Sequence, residues 1–511
     1  MNSKKTAIIE QCKNILLVVL VLSTILLLYF LWNDGAGAGF RIPGSGVSGN
    51  VEVIPVKSVL SPESIIVNFG AENYTSQTET ASLWYGAEDG DAPSFMSAFM
   101  NFLAYDNIAV GAISKEDFED VMRARSIRAE FSFAIPTDDF CDEFRLRRTA
   151  PLDAVDAFTC VAYSEASPES LFLCDKLNDS FFRLAMDGES DFKELIAFVE
   201  TFDNESYYPL RTFSGVENDT LLPLNAPAAP AKLSYERSLN PYAAADAARI
   251  IKMTRAFFGN SFDFTRKITE GNGTTVYMYG YGEKVFVINR DGSFEYSAAA
   301  TDSERGGAEA LFDALTTALD FISSHSESGD ERGLASKQIY LKDVRYSFTD
   351  GRRTYGFLFG VKINGYKVYY ANSEPLFVEV TGSRVNYYKI DMIDGFLNGA
   401  DAPAEKAFAP FDILTEHFAY IYDVLSAKEL IPSVDGVSDE EAVFEKTASM
   451  VSGLSYGLLR PDESSLVRRA LHDVRGDEVF EQNLSPVWVM TVGGIDFCFD
   501  IYSGAPAGYM E

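Results

Sequence analysis

The chain has 511 residues, with 43 Lys and Arg against 75 Asp and Glu, and a formal net charge of −32. At 47% hydrophobic and 13% aromatic residues it reads as a folded chain, not a disordered acidic tail. Its length predicts two to four domains, because single cores stop growing near ~250 residues. The charge argues against nucleic acid and against wide contact with anionic headgroups, since phosphates would be repelled.

Residues 1–14 hold Lys4, Lys5 and Lys13 ahead of an uncharged run, Ile15 to Trp32 (ILLVVLVLSTILLLYFLW). At ~1.5 Å per residue such a helix reaches ~27 Å, enough to cross a bilayer core. Tyr29, Phe30 and Trp32 gather at one end, as interfacial aromatics do. The next positive charge is Arg41, so the positive-inside rule predicts a cytoplasmic N-terminus and an extracellular C-terminal bulk. A cleaved signal peptide fits less well, because the apolar run is long and ends in bulky aromatics.

Residues 33–50 read as a flexible Gly/Ala/Ser linker. Gly44, Gly46 and Gly49 form a G-x-G-x-x-G, but no strand precedes it and no helix follows, so it is rejected as a nucleotide site.

A first α+β region is expected over 51–214. It contains a buried strand at Ser64–Gly70 and an amphipathic helix at Ser94–Leu103. Ser114 opens a second helix with a capping-box-like start. Ile127, Ala129, Phe131 and Phe133 then alternate with polar residues, the period of a half-buried strand. A hairpin at 171–185 and a helix at Asp191–Phe202 complete the region.

Residues 215–236 read as a Pro/Ala-rich connection. A central region over 237–399 begins with a helix capped by Asn240 and Pro241 and ended by Gly259. A meander over 275–297 follows, with an Asp-Gly turn. A helix over Ala308–Ser324 carries the stripe Leu311, Leu315, Ala318, Leu319 and Ile322. Five strands then run to Asp391. The last region, 400–511, is expected to hold helices at Phe411–Ser426, Glu440–Leu454 and Ser464–Val474. It closes on a hairpin joined by Gly493-Gly494. The whole predicts antiparallel sheets with helices packed on them.

No chemistry stands out. His325, His417 and His472 are far apart, in no ligand-like spacing, and His325 is expected as a cation at a helix C-terminus. No P-loop appears. Asp138-Asp139 and Glu440-Glu441 read as solvated turn and cap charges, and Trp84, Tyr85 and Tyr207-Tyr208 as core or loop anchors. Cys141, Cys160, Cys174 and Cys498 are expected as buried free thiols, with Cys12 at the membrane edge. Neither a metal, a cofactor nor a catalytic residue is expected.

The start KNILLVVLVLSTILLLYFLW resembles the N-terminal anchor of the YycH proteins of Gram-positive bacteria. Leu60–Gly70 is similar to their first extracellular strand. Ser126 through Phe133, with Ile135-Pro136 and Phe140–Phe144, resembles the strand and turn that follow. Leu484-Ser-Pro-Val-Trp488 and Phe499–Gly504 are closer to the related YycI proteins. The Gly/Ala linker and the insertion around Gly215–Lys232 depart from the pattern.

The resemblance implies a non-enzymatic accessory protein of the WalK/WalR (YycG/YycF) two-component system, which adjusts cell-wall metabolism. Its implied partners are the sensor histidine kinase, a YycI-like companion and membrane lipid. Ser23 and Thr24, the polar residues within the span, are then the candidate helix–helix contact in the membrane. A rival expectation, from the PepSY-like helix-plus-hairpin ending, is an inhibitor or chaperone of exported peptidases.

Overall fold

The structure, a computed structural model, describes most of residues 53–510. Residues 1–52, 86–92, 224–232, 238–245, 300–309, 326–337, 398–406, 432–439 and 461–481, with a few shorter stretches, lie outside the described residues. The expected span, Ser23, Thr24, the linker, the Asn240 cap, the helix at Ser464–Val474 and His472 all fall there. No helix among the described residues is long and apolar enough to cross a membrane.

The first sheet runs, in spatial order, Ala109–Ile113, Ser180–Ala185, Ser170–Asp175, Ala157–Ser164, Ser126–Pro136, Ser64–Asn68, Tyr74–Gln77, Tyr207–Pro209 and Leu221–Pro223. Helix Phe95–Leu103 starts where the Ser94 hydroxyl accepts the Ser97 N–H at 3.2 Å, satisfying one of the donors a helix start leaves open. It buries Phe95, Phe99 and Phe102 on one stripe. Helix Lys115–Met122 is capped the same way by Ser114.

The two helices serve opposite faces of the sheet. Phe95 and Phe99 pack with Ile127, Phe131 and Phe158, while Phe118 and Met122 pack with Cys160, Phe172 and Cys174. Covering both faces explains why Ser170–Asp175 is buried at every position rather than alternating. The four described cysteines are buried thiols, in no disulfide among the described residues. Cys160 and Cys174 face each other across adjacent strands, and burial pushes the Cys174 thiol well up.

The second sheet begins with the meander Arg266–Thr269, Thr275–Tyr279, Lys284–Ile288 and Phe294–Ala298. It continues through Arg384–Ile390, Leu376–Thr381, Arg352–Ile363, Tyr366–Tyr370, Val451–Arg460, Gln482–Val492, Leu233–Arg237 and Ile393–Leu397. Gln338–Thr349 pairs with Arg352–Ile363, and Ile495–Asp500 and Pro506–Met510 extend from Gln482–Val492. One sheet therefore joins strands from 237–399 and from 400–511.

The fold is mixed α+β and mostly antiparallel; among the described strands Tyr366–Tyr370 and Val451–Arg460 pair in parallel. Helices Ala247–Phe258 and Leu311–His325 bury Phe257 against Phe286 at 4.7 Å and Leu315, Ala318 and Ile322 in the same core. A separate core lies under helix Pro410–Ala427, with Ile413, Trp488 and Phe497. Leu210 and Leu222 also belong to it.

Three expectations are corrected. Asp139 is no solvated turn charge: its carboxylate accepts the Leu311 N–H at 2.7 Å. It thus caps a helix 172 residues away in the chain, a partnership no local pattern encodes. His325 is not a cation held by the helix dipole. Its ring stacks on Phe321 and Phe257 at 4.0 and 4.4 Å, and burial pushes its pKa down to about 4, because desolvation outweighs the dipole. The helix expected through Leu454 stops at Ser449, and Val451–Arg460 is a strand. Gly453 and Gly457 weaken the helical alternative.

Asn50–Glu511 pack as one unit. The Ile54 N–H donates to the Ser323 hydroxyl at 3.1 Å. Asn218 Nδ2 donates to the Ala448 and Val451 carbonyl oxygens, each at 2.8 Å.

Candidate functional site

A polar cavity of about 240 Å³ opens where three parts of the chain meet. Glu63 and Ser132 come from the first sheet and the loop before it. Tyr340, Lys342, Lys362 and Lys367 come from the middle of the second sheet, and Ser455, Thr491 and Asp496 from its C-terminal strands.

Local sequence explains the placement of the two inner lysines. Lys362 and Lys367 flank Asn364-Gly365, a dipeptide that favours tight hairpins. Gly365 has φ of 84°, within the left-handed region. The hairpin sets Lys362 directly opposite Lys367, and like charges so placed repel.

Tyr340 is seated by a glycine. It lies opposite Gly360 in the register between Gln338–Thr349 and Arg352–Ile363. Its ring occupies the space that a side chain at position 360 would fill, an aromatic lid over a cross-strand glycine. Both ammonium groups then reach the ring, with Lys362 Nζ 5.4 Å and Lys367 Nζ 5.8 Å from its centroid. These are cation–π distances.

The two lysines differ in what balances them. Lys367 Nζ lies 3.2 Å from Glu63 Oε1. Burial acts to lower its pKa, but the Glu63 charge outweighs it and holds the ammonium firmly protonated. Lys362 has no such partner among the described residues. Its pKa is lowered, first by burial and then by Lys367, as expected of a half-buried cation facing another.

The surrounding hydroxyls are held in place. Tyr369 and Ser455 hydroxyls are 2.7 Å apart, and Thr491 donates to Asp496 at 2.6 Å. The Ser132 hydroxyl donates to the Lys342 carbonyl oxygen at 2.5 Å, across 210 residues of sequence. Neither histidine nor cysteine lines the cavity. Its lining offers charge and hydrogen-bond recognition, with one lysine partly unbalanced.

None of these residues stood out as a candidate in the sequence. Two signals were available: Gly453-Leu-Ser455-Tyr-Gly457, a G-x-S-x-G that lies within a strand and not at a strand-to-helix turn, and Lys-Ile-Asn-Gly-Tyr-Lys over 362–367, which a hairpin reading turns into a facing lysine pair. The approach of Glu63, Ser132 and Asp496 is purely tertiary. Ser23 and Thr24 lie outside the described residues.

No protein-family profile matches the chain, and no curated protein matches it. Among solved structures, a protein of unassigned character from Eubacterium rectale aligns over 56% of this chain and 90% of its own, at 12% identity and a TM-score of 0.32, too remote to support an argument. The crystal structure of YycH from Bacillus subtilis aligns over 89% of this chain and 98% of its own, at 10% identity and a TM-score of 0.50. The chain shares, over most of its length, a YycH-like α+β fold.

Proposed function

We propose that the chain is a membrane-anchored, non-enzymatic regulator that contacts the sensor histidine kinase of a cell-wall-controlling two-component system and modulates its activity. The observation that carries this reading is the fold likeness to YycH, which extends over 89% of the chain rather than one module. The resemblance of the N-terminal run to a YycH anchor supports it, since a regulator of a membrane kinase must share its membrane. In this reading residues 15–32 span the cell membrane, residues 1–14 are cytoplasmic and the bulk is extracellular. A YycI-like companion would complete the assembly.

The regulation must be differential: the chain shifts the kinase only as far as it binds one kinase state better than the other. Ser23 and Thr24 are the proposed contact within the bilayer, where small polar residues let helices approach closely.

The test is co-reconstitution of the full chain and the kinase in lipid nanodiscs, reading autophosphorylation rate and co-purification. A rate change of severalfold with the full chain, reduced in Ser23→Leu/Thr24→Leu, is expected. An unchanged rate together with no co-purification would sink the reading. Recovery of an exported peptidase in place of the kinase would favour the inhibitor alternative.

A further inference from the structure

We propose that the cavity lined by Tyr340, Lys342 and Lys362 binds a small phosphate ester of a short polyol, its phosphoryl group held between the two lysine ammoniums. The inference does not depend on the regulatory reading.

Three observations lead to it. First, three lysines converge in a protein whose acidic residues outnumber its basic ones 75 to 43. A solvated acidic surface needs no such cluster. Second, Lys362 carries an uncompensated charge. It faces Lys367 across the hairpin, and Glu63 is spent on Lys367. Of the inner pair, one lysine is neutralised from within and one is left for something else. Lys342, exposed at the mouth, supplies a second unpaired ammonium among the described residues. Two lysines lining one cavity match a phosphomonoester dianion better than a carboxylate.

Third, the rest of the wall is hydroxylic. The Tyr369–Ser455 pair and Thr491 offer fixed oxygens, and Ser61 and Ser132 add further hydroxyl-bearing residues to the lining. A wall of that kind suits hydroxyl groups and gives an acyl chain nothing to bury against. At about 240 Å³, the space takes a phosphate and a few carbons, below the ~300 Å³ at which drug-sized pockets begin. A ligand there would touch all three parts of the chain at once.

The experiment is isothermal titration of the full-length protein in detergent micelles at fixed ionic strength. The probes are glycerol 3-phosphate and inorganic phosphate, with glycerol and sodium chloride as controls. Saturable binding of glycerol 3-phosphate is expected, with inorganic phosphate weaker and the controls silent.

Lys362→Gln should weaken binding at least tenfold. It removes one of two facing like charges, so circular dichroism should report an intact fold. Glu63→Gln should do the opposite, tightening binding severalfold by releasing Lys367 to the cavity. Absence of binding by both phosphate probes would overturn the proposal. So would equal affinity in a folded Lys362→Gln variant, or glycerol binding as well as its phosphate.

Discussion

Glu130 offers the sharpest test of how the first sheet is held. It projects from Ser126–Pro136 and meets Arg128 at 2.9 Å and Lys176 at 2.7 Å. Burial acts to raise its pKa, but the charges of Arg128 and then Lys176 outweigh it and hold the carboxyl down at about 2, against an ordinary 4.5. At ~1.4 kcal/mol per pH unit that is about 3 kcal/mol of preference for the ionised form. With 23% of the side chain still in water, screening trims this to about 2 kcal/mol.

The sign follows from the depressed value. The stabilisation is fully present above pH 4.5 and is lost as pH falls through 4.5 toward 2. Glu130→Gln, which imitates the protonated acid, should cost about 2 kcal/mol at pH 7. The difference from wild type should shrink steadily between pH 4.5 and 2. Urea unfolding at pH 7, 5 and 3 measures it, with Trp84, buried in the same sheet's core, as reporter. A Glu130→Gln deficit that stays constant from pH 7 to 3 would refute the electrostatic account and leave only lost packing.

Two further predictions concern the backbone. A Cβ at Gly457 would collide with the Lys367 carbonyl oxygen across the parallel pair, whereas one at Gly360 meets only the end of the Tyr340 side chain. Gly457→Ala should therefore cost ~3 kcal/mol or more in urea unfolding, and Gly360→Ala only ~1 kcal/mol, because a ring can swing and a strand cannot. Asn218→Ala should cost ~2 kcal/mol, since it takes the Nδ2 donor from the Ala448 and Val451 carbonyls, of which Val451 keeps the Thr220 hydroxyl; Asn218→Asp, whose carboxylate donates to neither, should be no better.

How much of this was readable beforehand follows from how local each cause is. The Ser114 cap, the stripe Leu311-Leu315-Ala318-Ile322 and the Gly493-Gly494 hairpin all came through, because each depends on neighbours a few residues away. The alternation over Ile127–Phe133 identified its strand for the same reason. What failed depended on distance. Asp139 looked like a turn charge because its partner is Leu311. His325 was misjudged because the rings that desolvate it come partly from Phe257, on another helix. The cavity was missed for the same cause: its hairpin lysines are local, but Glu63 and Asp496 arrive from opposite ends of the chain, and only Glu63 distinguishes Lys367 from Lys362.

The pairing of Leu233–Arg237 bears on how the protein is made. Leu233 finds its register against Leu484, and Arg237 against Ile393. During synthesis at ~5–20 residues per second, this strand waits roughly 10–50 s before its second neighbour leaves the ribosome. The first sheet, by contrast, is complete once Pro223 has emerged. The first sheet can therefore pair its strands as it is translated. The second holds an open strand edge until the chain is nearly finished, and that interval is where an aggregating encounter or a binding chaperone would act.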